Sequence, residues 1–389
     1  MSNRPIIEGP LTGIKILDFS RLLPGPMASM FLADMGAEVI RVEDPHHPDY
    51  IKEFLPKLAD SSAYYYALNR NKQSLAVDYR TLRGKEIIHT LVEQADVVIE
   101  QFRPGTMKRY GLDYETLSKI NSKLIYASIT GFGQNSSKSQ EAGHDLNYLA
   151  MAGLLDGCSI PKGQIADVAG GAYMTMNALL AALIQSSKSG QGQHLDIAMT
   201  DCILPIVTLP FAETQTRYST QDNFQLSGKL ARYNIYQCAD KKWIALAALE
   251  DKFWINFCKK IDHIEWIPAG IEQQESIKQH LQNIFIQKTS QEWVDFFKGV
   301  DVCLNVVNEL DDLAADEYLN EKKLFIDHKI DGQSFLSIDL PVRFKSQEAK
   351  KNWVAPKLGE DTITILRGLS LSEDEILSLE KELTIKACR

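Results

Sequence analysis

Two proton-exchanging residue types stand at the heads of small-residue segments. His144 and Asp145 follow Gly143 and open the run Leu146-Asn-Tyr-Leu-Ala150. Asp167 sits in Ile165-Ala-Asp-Val-Ala-Gly-Gly171, ahead of a long apolar stretch. An imidazole and a carboxyl, each at the mouth of a helix, form an acid–base pair whose pKa values burial and helix dipoles move toward neutrality. Local sequence leaves a second reading of each residue open. Asp is a favoured helix N-cap, and His is often merely packed in a core or loop.

The surrounding elements must hold these groups. Ile14–Phe19 reads as a strand, Leu23-Pro-Gly-Pro26 as a turn, Met27–Met35 as an apolar helix ended by Gly36, and Glu38–Glu43 as a second strand. That order is a βαβ unit with a parallel sheet. The dinucleotide fingerprint G-x-G-x-x-G is absent from the turn, so the unit is Rossmann-like in shape without being a nicotinamide site. Arg83–Gln94 reads as an amphipathic helix, and Val97–Ile99 and Leu124–Thr130 as further strands. The loop Gln101–Gly111 after Val97–Ile99 carries Arg103, Lys108 and Arg109 around a Pro-Gly turn. Loops at strand ends are where α/β proteins place ligands, and arginines suit phosphate; a solvated surface turn is the other reading. Ala172–Leu183 reads as a buried helix, and His194 as structural.

After about Pro210 the pattern changes. Arg232–Leu249 resembles a hairpin, and Phe253–Ile261, Ser276–Gln287 and Ser290–Phe297 read as helices, the last capped by Ser290. The expected division is a large domain over 1–212 plus 333–389, a small α+β domain over 225–325, and linkers at 213–224 and 326–332.

The chain of 389 residues is 44% hydrophobic and 24% charged, with a net charge of −9. Such a balance argues against a general nucleic-acid binder while allowing basic pockets for an anionic small molecule. The six cysteines, Cys158, Cys202, Cys238, Cys258, Cys303 and Cys388, are scattered and form no C-x-x-C. Reduced, mostly buried thiols and a cytoplasmic location are expected, with no metal site. The first residues lack an apolar signal core, and no stretch reads as a membrane span.

Taken in order, the segments resemble the family III coenzyme A transferases (the CaiB/BaiF superfamily) and, within them, the α-methylacyl-CoA racemases. The resemblance rests on Leu11-Thr-Gly-Ile-Lys-Ile-Leu-Asp-Phe19 with Pro24-Gly-Pro26, Ala33-Asp-Met-Gly-Ala37, Asn69-Arg-Asn-Lys72 and Phe102-Arg-Pro-Gly105. It continues through Leu124–Ala127, Gly131-Phe-Gly-Gln134, Gly143-His-Asp-Leu-Asn-Tyr148, Ala166–Gly171, Gly190-Gln-Gly-Gln193 and Pro356-Lys-Leu-Gly-Glu360. It implies a Rossmann-like large domain completed by the C-terminal segment, a small α+β domain and an interlocked homodimer. It also implies an acyl-CoA substrate, with coenzyme A entering as part of that substrate and no separate cofactor.

In the transferase branch, the aspartate matching Asp167 is a nucleophile. In the racemase branch, it and the histidine matching His144 exchange the α-proton of a 2-methylacyl-CoA through an enolate. His144 itself, and the absence of a Gly-Gly-Gly-Gly run, favour the racemase; the transferase and a non-catalytic acyl-CoA binder are the rivals. His144 and Asp167 are thus the expected catalytic pair. Asn71, Lys72, Arg103 and Arg109 are expected at the nucleotide end, Gly143 and Asp145 also among the substrate-binding residues with Asp145 positional, and Tyr148 along the pantetheine channel. Oxyanion donors are expected from backbone N–H groups at a helix start. Two positions depart from the racemase pattern. Asp44 stands where an arginine would hold a CoA phosphate, leaving Arg41 or Lys72 as substitutes, and Gln237 stands where a glutamate would steady the histidine.

Overall fold

The computed structural model describes residues 7–155, 159–216, 226–344 and 353–388; Cys158 lies outside them. The chain forms two compact units, 1–207 with 322–389, and 208–321.

The first unit is built on a seven-stranded sheet. Its strands are β1 (Lys15–Asp18), β2 (Glu38–Glu43), β3 (Gln73–Val77), β4 (Val97–Glu100), β5 (Ile125–Thr130), β6 (Gln193–Ala198) and β7 (Ile385–Lys386). They lie in the order β7-β3-β2-β1-β4-β5-β6. All neighbours pair in parallel except β7, which runs antiparallel to β3. This is the Rossmann order, whose direction of winding reverses between β1 and β4 and opens a crevice at the strands' C-terminal ends. The inner strands are buried on both faces, as parallel sheets require. Ile16, Val39, Val97, Ile99, Ile125 and Ile129 pack beneath α1 (Pro24–Asp34), along with Leu179 and Ala182. Leu17, Ile40, Leu75, Val98 and Tyr126 pack beneath α2 (Leu82–Val92).

Two more helices carry the candidate chemistry, α3 (Asp145–Met151) and α4 (Ala166–Ser189). Expected from Ala172, α4 begins six residues earlier. Its first eight residues, Ala166–Tyr173, are wound as a π-helix. Gly170 and Gly171 let this segment press on its neighbours: a Cβ at Gly170 would stand 2.7 Å from the Met199 carbonyl, and one at Gly171 2.6 Å from Pro24 Cβ. Among the described residues, α4 is the one helix long and apolar enough to cross a membrane by length and composition alone. It places Leu179 and Ala182 in the core beside the sheet.

Beneath the N-terminus of α1 lies a charge cluster sealed from solvent. Lys72 Nζ donates to Asp18 (3.3 Å), the Pro26 carbonyl (2.8 Å) and Asn69 Oδ1 (2.9 Å). Arg41 bonds Asn69 (2.9 Å) and Asp49 (2.6 Å) and lies 3.3 Å from Glu43, which also holds Lys52. Three cations thus face three anions, as burial of charge demands. Next to it, Arg70 pairs with Asp34 at 2.6 Å, both fully buried. Asn71 donates to Asp34 (2.7 Å), and its side-chain oxygen accepts the Trp353 N–H (2.9 Å).

The C-terminal segment closes the unit. Asp361 accepts the Ser74 N–H at 2.9 Å, ahead of β7 on the sheet edge. Residues 326–332, expected as a linker, instead form a strand and turn. Phe325–Ile330 pairs with Gln333–Ile338, and Asp331 and Gly332 both take positive φ (47° and 80°). An Asp-Gly pair between alternating strands is a strong hairpin signal.

The second unit has a three-stranded antiparallel sheet in the order Leu304–Val307, Trp243–Ala247, Tyr233–Gln237. Helices Asp251–Lys260, Gln274–Phe285 and Ser290–Phe297 contribute to its core. The last is capped by Thr289, reciprocally with Glu292, and not by Ser290. The stretch expected as the linker 213–224 begins inside the helix Thr208–Thr214, and 217–224 fall outside the described residues. Of the five described cysteines, Cys238 and Cys258 are buried, Cys202 is half-buried, and Cys303 and Cys388 are exposed.

The buried Asp34–Arg70 pair gives a stability test. Asp34→Ala leaves a guanidinium buried without its carboxylate and should cost about 3–5 kcal/mol in urea denaturation. A loss below about 1 kcal/mol would show that water reaches Arg70.

Candidate functional site

The crevice at the C-terminal ends of β4 and β5 holds a cavity of about 320 Å³. The loop after β4 contributes Gln101, Phe102 and Arg103, the end of β5 contributes Ile129–Phe132, and the approach to α3 contributes Gly143 and His144. The loops after β1 and β4 are tied together, Gly25 N–H donating to Gln101 Oε1 at 3.1 Å.

His144 occupies the N-cap position of α3, its backbone N–H held by Asn147 Oδ1 at 3.0 Å. Its exposed side chain stands in the cavity wall. Tyr148, buried at 5% exposure, braces this loop by donating its hydroxyl to the Gly143 carbonyl at 2.7 Å. Position 143 has to be glycine, because a Cβ there would stand 2.7 Å from the Tyr148 ring. Tyr148 and Gly143 both line the cavity.

Asp167 lies in the first turn of the π-helical segment rather than at its cap. Its backbone N–H donates to the Asp145 carboxylate at 2.9 Å. The residue next to His144 therefore clasps the residue expected to work with it. Burial pushes the Asp167 carboxyl up to about 7, and the charge of Asp145 adds to the rise. The charges of Asp167 and Asp145 also act on the Tyr148 phenol, which burial pushes up to about 12. Asp167 is not among the residues lining the 320 Å³ cavity; what joins it to His144 is the Asp145 clasp. π-Helical turns are rare and concentrate at functional sites. Nothing in the local sequence pattern distinguishes this one from an ordinary helical start.

Arg103 and Arg109 line an adjoining cavity of about 530 Å³ with Gly105, Thr106 and Gln140. Both are exposed, and neither is ion-paired among the described residues. They are available to an anion. Asn71 and Lys72 are not, contrary to expectation. They are 3% and 0% exposed, and their side chains are committed to Asp34 and Trp353, and to Asp18, Pro26 and Asn69. Arg41 is buried against Asp49 and Glu43 and cannot replace the missing phosphate contact either. Asp44 instead holds Arg80 at 3.0 Å. Gln237 belongs to the second unit, where its amide donates to the Lys241 carbonyl at 3.4 Å. Sequence reading passed over Glu100, a buried carboxyl directly below the cavity loop; a lone acid at the end of an apolar strand was the available signal. Among the described residues, no three His, Cys, Asp or Glu side chains are grouped to hold a metal ion.

Comparison with known proteins adds four findings. The model of a family described as CoA-transferase family III matches residues 11–362. An alpha-methylacyl-CoA racemase of Mus musculus is 30% identical, over 97% of this chain and 98% of its own length. A succinate–glutarate CoA-transferase of Agrobacterium fabrum is 29% identical, over 96% of this chain and 99% of its own. A CAIB/BAIF family protein from Brucella suis has a crystal structure that superposes with a TM-score of 0.80 at 28% identity, covering 93% of this chain and 100% of that one.

The raised Asp167 pKa has a sign that can be tested. A carboxyl that ionises near 7 when folded and near 3.8 when unfolded favours the folded state below about pH 4 and loses that advantage as pH rises through 7. Asp167→Asn cannot ionise. Relative to the parent it should gain on the order of 2–3 kcal/mol between about pH 4 and pH 8, some of the full effect being screened by residual exposure. Denaturation curves at the two pH values measure this, and parallel pH slopes for parent and variant would show an ordinary carboxylate.

Proposed function

Because the chain belongs to CoA-transferase family III, we propose that it interconverts the (2R) and (2S) forms of a 2-methylacyl-CoA thioester by 1,1-proton transfer. His144 takes the α-proton on one face of the thioester. The C–H electron pair moves into the thioester carbonyl, giving an enolate, and protonated Asp167 returns a proton to the opposite face. For the other enantiomer the roles reverse. The observation that carries this reading is the Asp145 carboxylate that holds the Asp167 N–H at 2.9 Å, one residue from His144 in the cavity wall. Burial and the Asp145 charge push the Asp167 carboxyl up to about 7, where both protonation states serve a two-base exchange.

The enolate oxygen needs fixed donors. At the start of α4 the Asp167 and Val168 N–H groups are already spent on Asp145 and the Gln164 carbonyl. Those of Asp145 and Leu146, in the first turn of α3 beside His144, make no hydrogen bond among the described residues. They are the donors in this mechanism, aided by the helix N-terminus. Arg103 and Arg109 bind the CoA phosphates. A homodimer covers the apolar side chains that α3 and α4 leave exposed, Leu146, Met151, Tyr173 and Ile184.

The second reading is a CoA transferase in which Asp167 attacks the thioester and carries the acyl group as an anhydride. The Agrobacterium transferase, as similar to this chain as the mouse racemase, favours it.

One experiment separates the two. A single enantiomer of a 2-methylacyl-CoA in heavy water, followed by proton NMR, should lose its α-hydrogen signal as the other enantiomer grows. His144→Ala should slow this by about 10²–10⁴-fold. An unexchanged α-hydrogen, with CoA moving to an added dicarboxylate, would overturn the racemase in favour of the transferase. Neither event would leave an acyl-CoA binder.

A further inference from the structure

Resting on the CoA-thioester reading above, we propose that Glu100 is a positioning residue for the nucleotide end of the substrate. It holds the 101–105 loop through the Phe102 N–H, next to the Ser128–His194 pair on the neighbouring strands.

Glu100 is the last residue of β4. Side chains alternate along a strand, so Glu100 shares the α2 face of the sheet with Val98. The register sets Glu100 beside Ser128 on β5, and Ser128 beside Asp196 on β6. Glu100 is 4% exposed and makes no ion pair among the described residues. Its carboxyl accepts the Phe102 N–H at 2.8 Å, and the Ser128 hydroxyl on the neighbouring strand favours its ionised form. Ser128 Oγ lies 2.9 Å from His194 Nε2. The His194 ring, partly covered, is fixed by stacking on Tyr114 (5.5 Å) and by the edge of Tyr126 (5.4 Å).

The loop so held is the one that brings Gln101, Phe102 and Arg103 into the cavity. Arg103 lines the adjoining cavity with Arg109 as well. A buried carboxyl without a cation is costly.

Burial pushes Glu100 up to about 7. The Ser128 and Phe102 bonds oppose the rise and the Asp196 charge adds to it. The other titratable groups facing it are Tyr126 on β5, raised by burial and by Glu100 itself, and His194 on β6, held below its usual value by burial. Asp196 is engaged by the Gln134 N–H at 2.9 Å. When Glu100 ionises, its proton leaves to solvent. The carboxylate accepts the Phe102 N–H more strongly than the acid does. The loop is therefore held tightest above neutral pH.

The test is calorimetric titration of the full chain with free CoA from about pH 5.5 to pH 8.5, for the parent, Glu100→Gln and Ser128→Ala. Glutamine keeps an acceptor for Phe102 and cannot ionise. Glu100→Gln should bind CoA about five-fold more weakly than the parent at the alkaline end, a fold-change drawn from the strength of a charge-assisted over a neutral hydrogen bond, and equally at the acid end. The ligand's own phosphate titration is common to all three proteins and cancels in the ratio. Ser128→Ala removes a donor to the carboxylate and should move the midpoint of the parent's pH dependence upward. A Kd ratio between parent and Glu100→Gln that stays flat with pH, or an unmoved midpoint in Ser128→Ala, overturns the positioning role. Absence of CoA binding by the parent at every pH would instead defeat the thioester reading on which it rests.

Discussion

One hydrogen bond, from the Asp167 backbone N–H to the Asp145 carboxylate at 2.9 Å, organises the candidate site. It couples the start of α3 to the π-helical start of α4. His144, one residue before Asp145, is thereby placed relative to Asp167 by two short backbone links. The same contact sets two like-charged groups side by side in a partly buried place. Asp145 spends its charge on a backbone donor, while Asp167 is pushed toward the neutral acid. A single contact therefore does the positioning and part of the pKa tuning. Its removal would disturb both.

The sheet below gives that contact something rigid to act against. The Rossmann order opens its crevice between β1 and β4, and the loops of that crevice are tied through Gly25 and Gln101. Under the α1 side lies the balanced cluster around Arg41, Lys72 and Asp18. On the other face Glu100 lies under the cavity loop without a cation. The two buried polar groups differ in kind. In the first, every charge has an opposite partner, and the cluster fixes the backbone near the start of α1. In the second, a carboxyl depends on neutral donors, the condition under which burial makes a group titrate near neutrality.

The sheet was legible because parallel strands buried on both faces write themselves as short apolar runs, as in Val97–Ile99 and Leu124–Thr130. The candidate residues His144 and Asp167 stood out as types and spacings. Burial did not. Asn71 and Lys72 read as a polar loop, and partners distant in sequence, Asp34, Asp18 and Trp353 among them, turn them inward. The π-helical winding of Ala166–Tyr173 depends on packing against Pro24 and Met199, which no local pattern encodes. The hairpin at Asp331-Gly332 did carry its signal, in a turn pair that favours positive φ, and a linker was read there instead.

The central claim is that Asp167 is held as a titrating acid near neutral pH by burial and by Asp145. The direct measurement is infrared difference spectroscopy of its carboxyl band against pH, using carbon-13 aspartate and Asp167→Asn to assign the band. The mechanism predicts a midpoint of about 7, falling in Asp145→Asn, which removes the neighbouring charge while keeping an acceptor for the Asp167 N–H. A midpoint near the ordinary aspartate value of about 4, unmoved in Asp145→Asn, would contradict it.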